Sequence, residues 1–232
     1  HAALLVDLDN DGDQDLALGL PYGLLIAAND GHGRFTPKTA KVLPHALPYS
    51  LAAADYDTDG DLDIFICSYN QRDAHDRHVL FARPVPYHDA NNGGRNVLLR
   101  NDITPSDGQW RFRSVTSLVG LEQNNRRFSY AAAWEDYDND GDPDIYVTNY
   151  GINALYSNHG NGRFTDVTKQ AELGHDERFS TGCSFFDADR DGDLDLYVAN
   201  YVDFKNFMNT TPDRRYQWRG LTVHFGPRGM RG

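Results

Sequence analysis

Four short apolar runs recur along the chain: Leu16-Ala17-Leu18, Ile64-Phe65-Ile66, Ile145-Tyr146-Val147 and Leu196-Tyr197-Val198. Their length and their β-branched and aromatic content predict buried strands. Each is preceded by a run rich in small residues, at 2–6, 51–54, 130–134 and 182–186, read as a first strand. A third strand is expected at 24–28, 97–100 and 154–157, running into turns that begin with Asn29, Asn101 and Asn158. Asn and Gly in these turns suit tight hairpins. A fourth strand follows the dipeptides Arg34-Phe35, Arg111-Phe112 and Arg163-Phe164. No stretch carries helical periodicity, so the pattern predicts an all-β chain.

The unit repeats. Counted from the aspartate after each first strand, the copies start at residues 7, 55, 136 and 187. Four strands at such a period predict a β-propeller of four-stranded antiparallel blades. Blade one is placed at 1–48, blade two at 49–127, blade three at 128–178 and an incomplete blade four at 179–232, all within a single propeller fragment. An insertion at 70–95 separates the second and third strands of blade two, and a smaller one enters its next turn near Pro105. Blade four shows no third-strand pattern. Beyond Tyr201 the chain is expected to run irregularly to Gly232 as a second long insertion. Successive antiparallel connections fall at opposite ends of the strands. The loops between strands one and two therefore share one rim, and both insertions share the other. The small residues of the first strands suit the crowded position beside the axis.

The connection between first and second strands carries the chemistry. It reads Asp-x-Asp-x-Asp-Gly-Asp-x-Asp four times: Asp7, Asp9, Asp11, Asp13, Asp15; Asp55, Asp57, Asp59, Asp61, Asp63; Asp136, Asp138, Asp140, Asp142, Asp144; and Asp187, Asp189, Asp191, Asp193, Asp195. Carboxylates this crowded lie within one Debye length, where salt does not relieve their repulsion. A hard divalent cation does. Calcium takes roughly six to eight oxygens in a loose geometry, whereas magnesium demands a strict octahedron and keeps its waters. Positions one, three, five and nine are expected to give carboxylates and position seven its backbone carbonyl, with about one calcium per loop, four in the chain. Gly12, Gly60, Gly141 and Gly192, at position six, fit a turn that needs positive φ or close backbone approach. An EF-hand is excluded, because it needs flanking helices and a Glu at position twelve. Leu18, Ile66, Val147 and Val198 stand there instead.

The formal net charge is −12, yet 20 of the 34 acidic residues lie in these four loops, with only Arg190 among the 22 Lys and Arg. The acidity therefore belongs to the loops, and the remainder is net positive. No apolar run approaches the ~18 residues of a membrane span. The chain opens on His1, which implies a truncated N-terminus, so the lack of a signal peptide carries no weight. Cys67 and Cys183 occupy non-equivalent places in their repeats and are read as free buried thiols. Weak multi-carboxylate sites fill where calcium is near millimolar, which points to a secreted, periplasmic or cell-surface protein.

In all four copies the loop and the run after it resemble the FG-GAP, or VCBS, repeat of integrin alpha-chain propellers. The segments 134–141, 162–168 and 226–229 are similar, more narrowly, to bacterial VCBS-repeat proteins of the ASPIC/UnbV, cartilage-acidic-protein-like group. The resemblance implies a seven-bladed propeller, usually secreted or surface-displayed, with calcium between strands one and two of a blade. About three and a half blades do not close such a ring. Such relatives tend to carry a cysteine near each end of the last insertion, where this chain has Tyr216 and Phe225.

Other constellations have simpler readings. His75, His78 and His88 lie among Asp73, Asp76 and Asp89 in the first insertion, but their spacing matches no zinc signature, and an exposed polar loop accounts for them. Arg214, Arg215, Arg219, Arg228 and Arg231 interleave with Tyr216, Trp218 and Phe225. Such a mix can bind nucleic acid or anionic glycans. A rim insertion that packs its aromatics and solvates its arginines explains it as well, and nucleic acid is not expected. Asn209-Thr210-Thr211 is a glycosylation sequon. No nucleophile elbow, zinc-protease motif or phosphate loop occurs, so catalysis has little support. The expected function is a calcium-stabilised extracellular or cell-surface scaffold for protein, matrix or adhesion-type recognition, with its protein or glycan ligand on the rim opposite the calcium loops. The alternative is a carbohydrate-directed propeller, either a lectin or a glycan lyase.

Overall fold

In the computed structural model each aspartate loop joins two antiparallel strands, and these hairpins organise the sheets. The structure describes residues 2–21, 23–43, 46–70, 84, 90–104, 108–173, 178–203, 215–218 and 221–224. The first sheet holds β1 (Ala3–Val6), β2 (Asp15–Leu20), β3 (Gly23–Ala28) and β4 (Thr36–Val42) in that order. The second holds β5 (Pro48–Ala54), β6 (Asp63–Ser68), β7 (Val97–Asn101) and β8 (Phe112–Ser114), also in order. The third repeats the plan with β9 (Ser129–Glu135), β10 (Asp144–Gly151), β11 (Ala154–Asn158) and β12 (Phe164–Asp166). A fourth hairpin pairs β13 (Arg178–Phe186) with β14 (Asp195–Asp203). The end of β10 also pairs briefly with β13, through Tyr150 and Phe179.

The first strands lie side by side, β1 beside β5, β5 beside β9 and β9 beside β13. These four-stranded antiparallel sheets in series are the blades of a partial β-propeller, and the described residues contain no helix. The tail of blade four departs from the expected irregular run. Within it β15 (Arg215–Trp218) pairs antiparallel with β16 (Leu221–His224), a separate two-stranded ribbon. The signal was present but brief: Arg215-Tyr216-Gln217-Trp218 and Leu221-Thr222-Val223-His224 each alternate polar and apolar residues, over only four positions apiece.

The core lies between blades, because a second strand buried on both faces offers alternate side chains to each neighbour. Ile64 and Ile66 of β6 join Leu8, Ala17, Leu24, Ile26 and Phe112 between blades one and two. Phe65 and Cys67 of the same strand join Ile145, Val147, Tyr156 and Phe164 between blades two and three. Turns between β8 and β9 add Val115, Val119 and Leu121 to that second cluster. Cys67 is buried and Cys183 half-buried, and both are free thiols.

Asparagines fasten the blades at both rims. Asn96 Nδ2 donates to Ser129 Oγ of the next blade (2.9 Å), and Asn153 Nδ2 donates to Ser180 Oγ (2.9 Å). At the aspartate-loop rim, Asn101 Nδ2 donates to the Leu8 carbonyl of the preceding blade (2.8 Å), and Asn158 Nδ2 to the Tyr56 carbonyl (2.8 Å).

Candidate metal centres

Each loop turns on two left-handed residues. The glycines at position six have φ between 93° and 97°, and a Cβ added there would meet nothing within 4 Å. They are required by conformation and not by space. Position four is left-handed as well, at Asn10 (58°), Thr58 (56°), Asn139 (58°) and Arg190 (67°). Asparagine tolerates that region, so two copies carry the signal in sequence. Thr58 and Arg190 adopt it against their preference.

These turns bring three of the five aspartates of each loop together. Asp7, Asp9 and Asp15 form one group; Asp55, Asp57 and Asp63 a second; Asp136, Asp138 and Asp144 a third; Asp187, Asp189 and Asp195 a fourth. Within a group, one carboxylate oxygen from each residue lies within 4.8 Å of the others. Positions one, three and nine thus converge, and positions five and seven stand outside the group. The carboxylate at position five instead accepts the N–H of position seven, as in Asp11 with Asp13 (2.9 Å), Asp59 with Asp61 (3.0 Å), Asp140 with Asp142 (3.0 Å) and Asp191 with Asp193 (2.9 Å). The position-seven carboxylates of blades one and three reach the turn between strands three and four. A Cβ on Gly31 would sit 2.6 Å from Asp13 Oδ2, and one on Gly160 would sit 2.5 Å from Asp142 Oδ2.

The aspartate at position one ties the loop tip. Asp55 accepts the N–H groups of Asp59 (3.0 Å) and Gly60 (2.9 Å), and Asp136 those of Asp140 (3.0 Å) and Gly141 (2.9 Å). In blades one to three the aspartate at position nine is the buried bracket of the blade. Asp15 accepts the Leu8 and Asn29 N–H groups (both 2.9 Å), Asp63 those of Tyr56 (3.3 Å) and Asn101 (2.8 Å), and Asp144 those of Tyr137 (3.2 Å) and Asn158 (2.7 Å). One carboxylate so joins the loop entry, the second strand and the end of the third strand. Sequence reasoning placed these asparagines in hairpin turns and missed this role. Their recurrence at the end of each third strand is the signal that could have found it.

The electrostatics of these groups favour a cation. Burial pushes the Asp63 carboxyl up to about 8, with Asp57 and Asp59 adding to the effect and the Asn101 and Tyr56 N–H groups opposing it. Burial likewise raises Asp144 to about 6. Asp9, Asp15 and Asp57 are raised chiefly by burial, with neighbouring carboxylates contributing. Asp7 Oδ1, Asp9 Oδ1 and Asp57 Oδ1 are buried with no hydrogen-bond partner at all. Carboxylate oxygens stripped of water and left unpaired are unfavourable unless something positive meets them. An all-oxygen, multi-carboxylate donor set fits a hard divalent ion such as calcium. The flanking elements are strands throughout, and the position-twelve residues Leu18, Ile66, Val147 and Val198 lie inside β2, β6, β10 and β14.

The opposite rim is aromatic. Tyr130 packs on Tyr49 (centroids 4.9 Å apart), Tyr69 (4.9 Å) and Phe179 (4.8 Å), and Phe179 packs on Tyr201 (5.4 Å). Tyr49 and Tyr201 remain exposed. The His75, His78 and His88 cluster with Asp73, Asp76 and Asp89 lies outside the described residues, as do Asn209-Thr210-Thr211, Arg214, Arg219, Phe225, Arg228 and Arg231. For Arg215, Tyr216 and Trp218 the backbone alone is described.

The FG-GAP-like repeat model matches residues 7–66 and 136–198, together just over half of the chain. Each match begins at the first aspartate of one loop and ends in the second strand of the following blade, so it takes in two complete loops. No curated protein matches the chain.

Proposed function

The chain belongs to the FG-GAP-like repeat family, and from that premise we propose that it is a calcium-stabilised β-propeller scaffold that presents a recognition rim outside the cytosol. The observation that carries this reading is the fourfold recurrence of one convergent aspartate triad, with orphaned buried oxygens in loops one and two. Calcium, when bound, neutralises the crowded carboxylates. Positions one, three and nine would hold it, and Asp11, Asp59, Asp140 and Asp191 at position five, with the carbonyl at position seven, are proposed to complete the shell. The ion fixes the loop, and the loop fixes the bracket at position nine on which the third strand hangs. Its role is structural. Multi-carboxylate sites of the weaker classes fill at the calcium levels of extracellular fluid, which supports a secreted, periplasmic or surface location. Among the described residues no helix is long and apolar enough to cross a membrane.

Recognition is assigned to the rim away from the loops, where the long insertion of blade two leaves the scaffold and Tyr49 and Tyr201 are exposed. Long loops on a rigid frame are a common seat of binding. Protein or matrix recognition is the first reading. A carbohydrate ligand is the second, favoured by the exposed tyrosine rings of that rim, since aromatic faces with a polar tip suit sugar rings. Isothermal titration with calcium tests the scaffold, with about one ion per loop expected and no heat of binding at millimolar calcium as the opposing result. A glycan array read with calcium and with chelator then separates the two ligand classes.

A further inference from the structure

Three of the four loops are joined in series through the backbone of single residues. In loop one the Leu8 N–H donates to Asp15 Oδ2 (2.9 Å), while the Leu8 carbonyl accepts Asn101 Nδ2 from the next blade (2.8 Å). The Asn101 N–H donates to Asp63 Oδ1 (2.8 Å), and Asp63 Oδ2 accepts the Tyr56 N–H (3.3 Å). The Tyr56 carbonyl accepts Asn158 Nδ2 (2.8 Å), the Asn158 N–H donates to Asp144 Oδ1 (2.7 Å), and Asp144 Oδ2 accepts the Tyr137 N–H (3.2 Å). Leu8, Tyr56 and Tyr137 each lie between the loop aspartates at positions one and three, and each carboxylate is the one at position nine.

We propose that Asn101 and Asn158 are positioning residues that couple cation occupancy of successive aspartate loops, so that an ion in one loop tightens binding in the next. The proposal rests on the calcium reading above. Its physical basis is the burial of the path. Asp63, Asp144 and Asn158 are fully buried and Asn101 is 1% exposed. Hydrogen bonds in such surroundings are stronger than in water and polarise one another along a chain. An ion at Asp7, Asp9 and Asp15 orders the backbone on both sides of Leu8, between Asp7 and Asp9. That fixes the Leu8 carbonyl, which holds the Asn101 side chain, whose own N–H orients the Asp63 carboxylate toward the second loop. The same steps lead from Tyr56 through Asn158 to Asp144. Asn29 of blade one makes no such bond to another blade among the described residues, and its Nδ2 donates to the Gln14 carbonyl of its own loop (3.1 Å). The coupling arm is thus the amide's second bond, made by Asn101 and Asn158 in addition to the bonds to their own loops at Leu62 and Pro143 (both 3.2 Å).

Terbium(III), an oxygen-seeking stand-in for calcium whose emission is sensitised by nearby phenols, reads two loops selectively. Tyr56 and Tyr137 occupy position two of loops two and three, where loops one and four carry Leu8 and Ala188. Asp57→Ala silences loop two and leaves Tyr137 to report loop three. The expected result is a loop-three midpoint raised about fivefold or more, the lower end of ordinary coupling between sites. Asp138→Ala, with loop two read through Tyr56, shifts that loop by the same factor, because coupling is reciprocal. In an Asn158→Asp background, which keeps the backbone N–H on Asp144 but loses the amide donor to Tyr56, the effect of Asp57→Ala on loop three disappears. Circular dichroism and melting report whether each variant is folded, and if Asn158→Asp is not, equal shifts from Asp57→Ala and Asp138→Ala carry the test. A loop-three midpoint unmoved by Asp57→Ala, unequal reciprocal shifts, or a shift undiminished in Asn158→Asp overturns the coupling. Absence of sensitised emission from the unaltered chain overturns the calcium reading itself.

Discussion

The Asp63 carboxylate accepts the Asn101 N–H at 2.8 Å across 38 positions of sequence. In blades one and three the same bond spans only 14, from Asp15 to Asn29 (2.9 Å) and from Asp144 to Asn158 (2.7 Å). The insertion of blade two therefore leaves the bracket undisturbed. It enters where strand two ends and returns where strand three begins, and the aspartate at position nine meets its asparagine as if nothing intervened. The bracket belongs to the repeat and not to any one blade.

That division of labour separates two aspartates of one loop. Asp144 is fully buried and holds two N–H groups, whereas Asp138 is exposed. Asp144→Ala strands the buried Asn158 N–H, a loss of about 1–3 kcal/mol, and lowers the melting temperature even in chelator. Asp138→Ala is expected to leave the chelator value nearly unchanged and to shrink the rise that calcium brings. Melting curves of both variants with calcium and with chelator check this. Equal losses in chelator would show that the two aspartates do the same work.

The pH dependence has a definite sign. Burial raises Asp63 to about 8 and Asp144 to about 6, against an ordinary value of 3.8. Between those values the folded chain holds protons that the unfolded chain has lost. Stability of the metal-free protein is therefore greatest below the unfolded value and falls as pH rises, through about 6 for Asp144 and about 8 for Asp63. Calcium competes with these protons, so its stabilising effect grows over the same range. Melting temperatures from pH 4.5 to pH 8.5, with chelator and with calcium, are expected to diverge upward in pH. Parallel curves would contradict the assignment.

Much of this was legible in the sequence because the repeat supplied four readings of one pattern. The triplets after each loop and the fourfold aspartate spacing fixed the hairpin and its chemistry. What stayed hidden lies where a side chain replaces a strand. Thr116 Oγ1 accepts the Leu98 N–H and Thr168 Oγ1 the Leu155 N–H (both 2.9 Å), extending the pairing of third strands beyond the end of the short fourth strands. A lone threonine after a strand gives no periodic signal. Nor did composition reveal which faces of the blades are covered. That depends on the neighbour, and the same residue type is buried or exposed according to the blade on which it sits.

Phe35, Phe112 and Phe164 show this directly. They follow the same arginine in blades one, two and three, yet Phe35 is 39% exposed while Phe112 is 6% and Phe164 5%. Phe112 and Phe164 each pack into the cluster shared with the preceding blade. Truncation to alanine at either is expected to destabilise the chain by about 3–5 kcal/mol, as for other large core aromatics. The same change at Phe35 should remain within about 1 kcal/mol. Denaturant unfolding of the three variants gives the comparison. A large loss at Phe35 would mean that another surface covers it in solution.

The neck of the first insertion invites a cleaner cut. The Gly94 N–H donates to the Tyr69 carbonyl (3.2 Å) and the Gly93 N–H to the Arg126 carbonyl (2.7 Å), so the chain is already brought together at the base. A Cβ on Gly94 would lie 2.4 Å from the Asn70 carbonyl oxygen, which explains why glycine stands at this closure. Ala90 is fully buried beside Phe128 and Tyr150 and belongs to the scaffold. Replacing residues 71–89 with a short Gly/Ser linker therefore removes the insertion and leaves the bracket, the neck and the buried alanine in place. Loop closure depends only weakly on loop length, so the change in stability should be within about 1 kcal/mol. The rise in melting temperature with calcium should also be preserved, since no loop aspartate lies in the deleted stretch. If the recognition rim is what the insertion serves, the trimmed chain keeps calcium binding and loses whatever glycan or matrix ligand the intact chain retains on an array. Loss of cooperative melting on trimming would place the insertion in the core of the fold. Ligand retention with full affinity would move recognition to the tyrosine rim around Tyr49 and Tyr201.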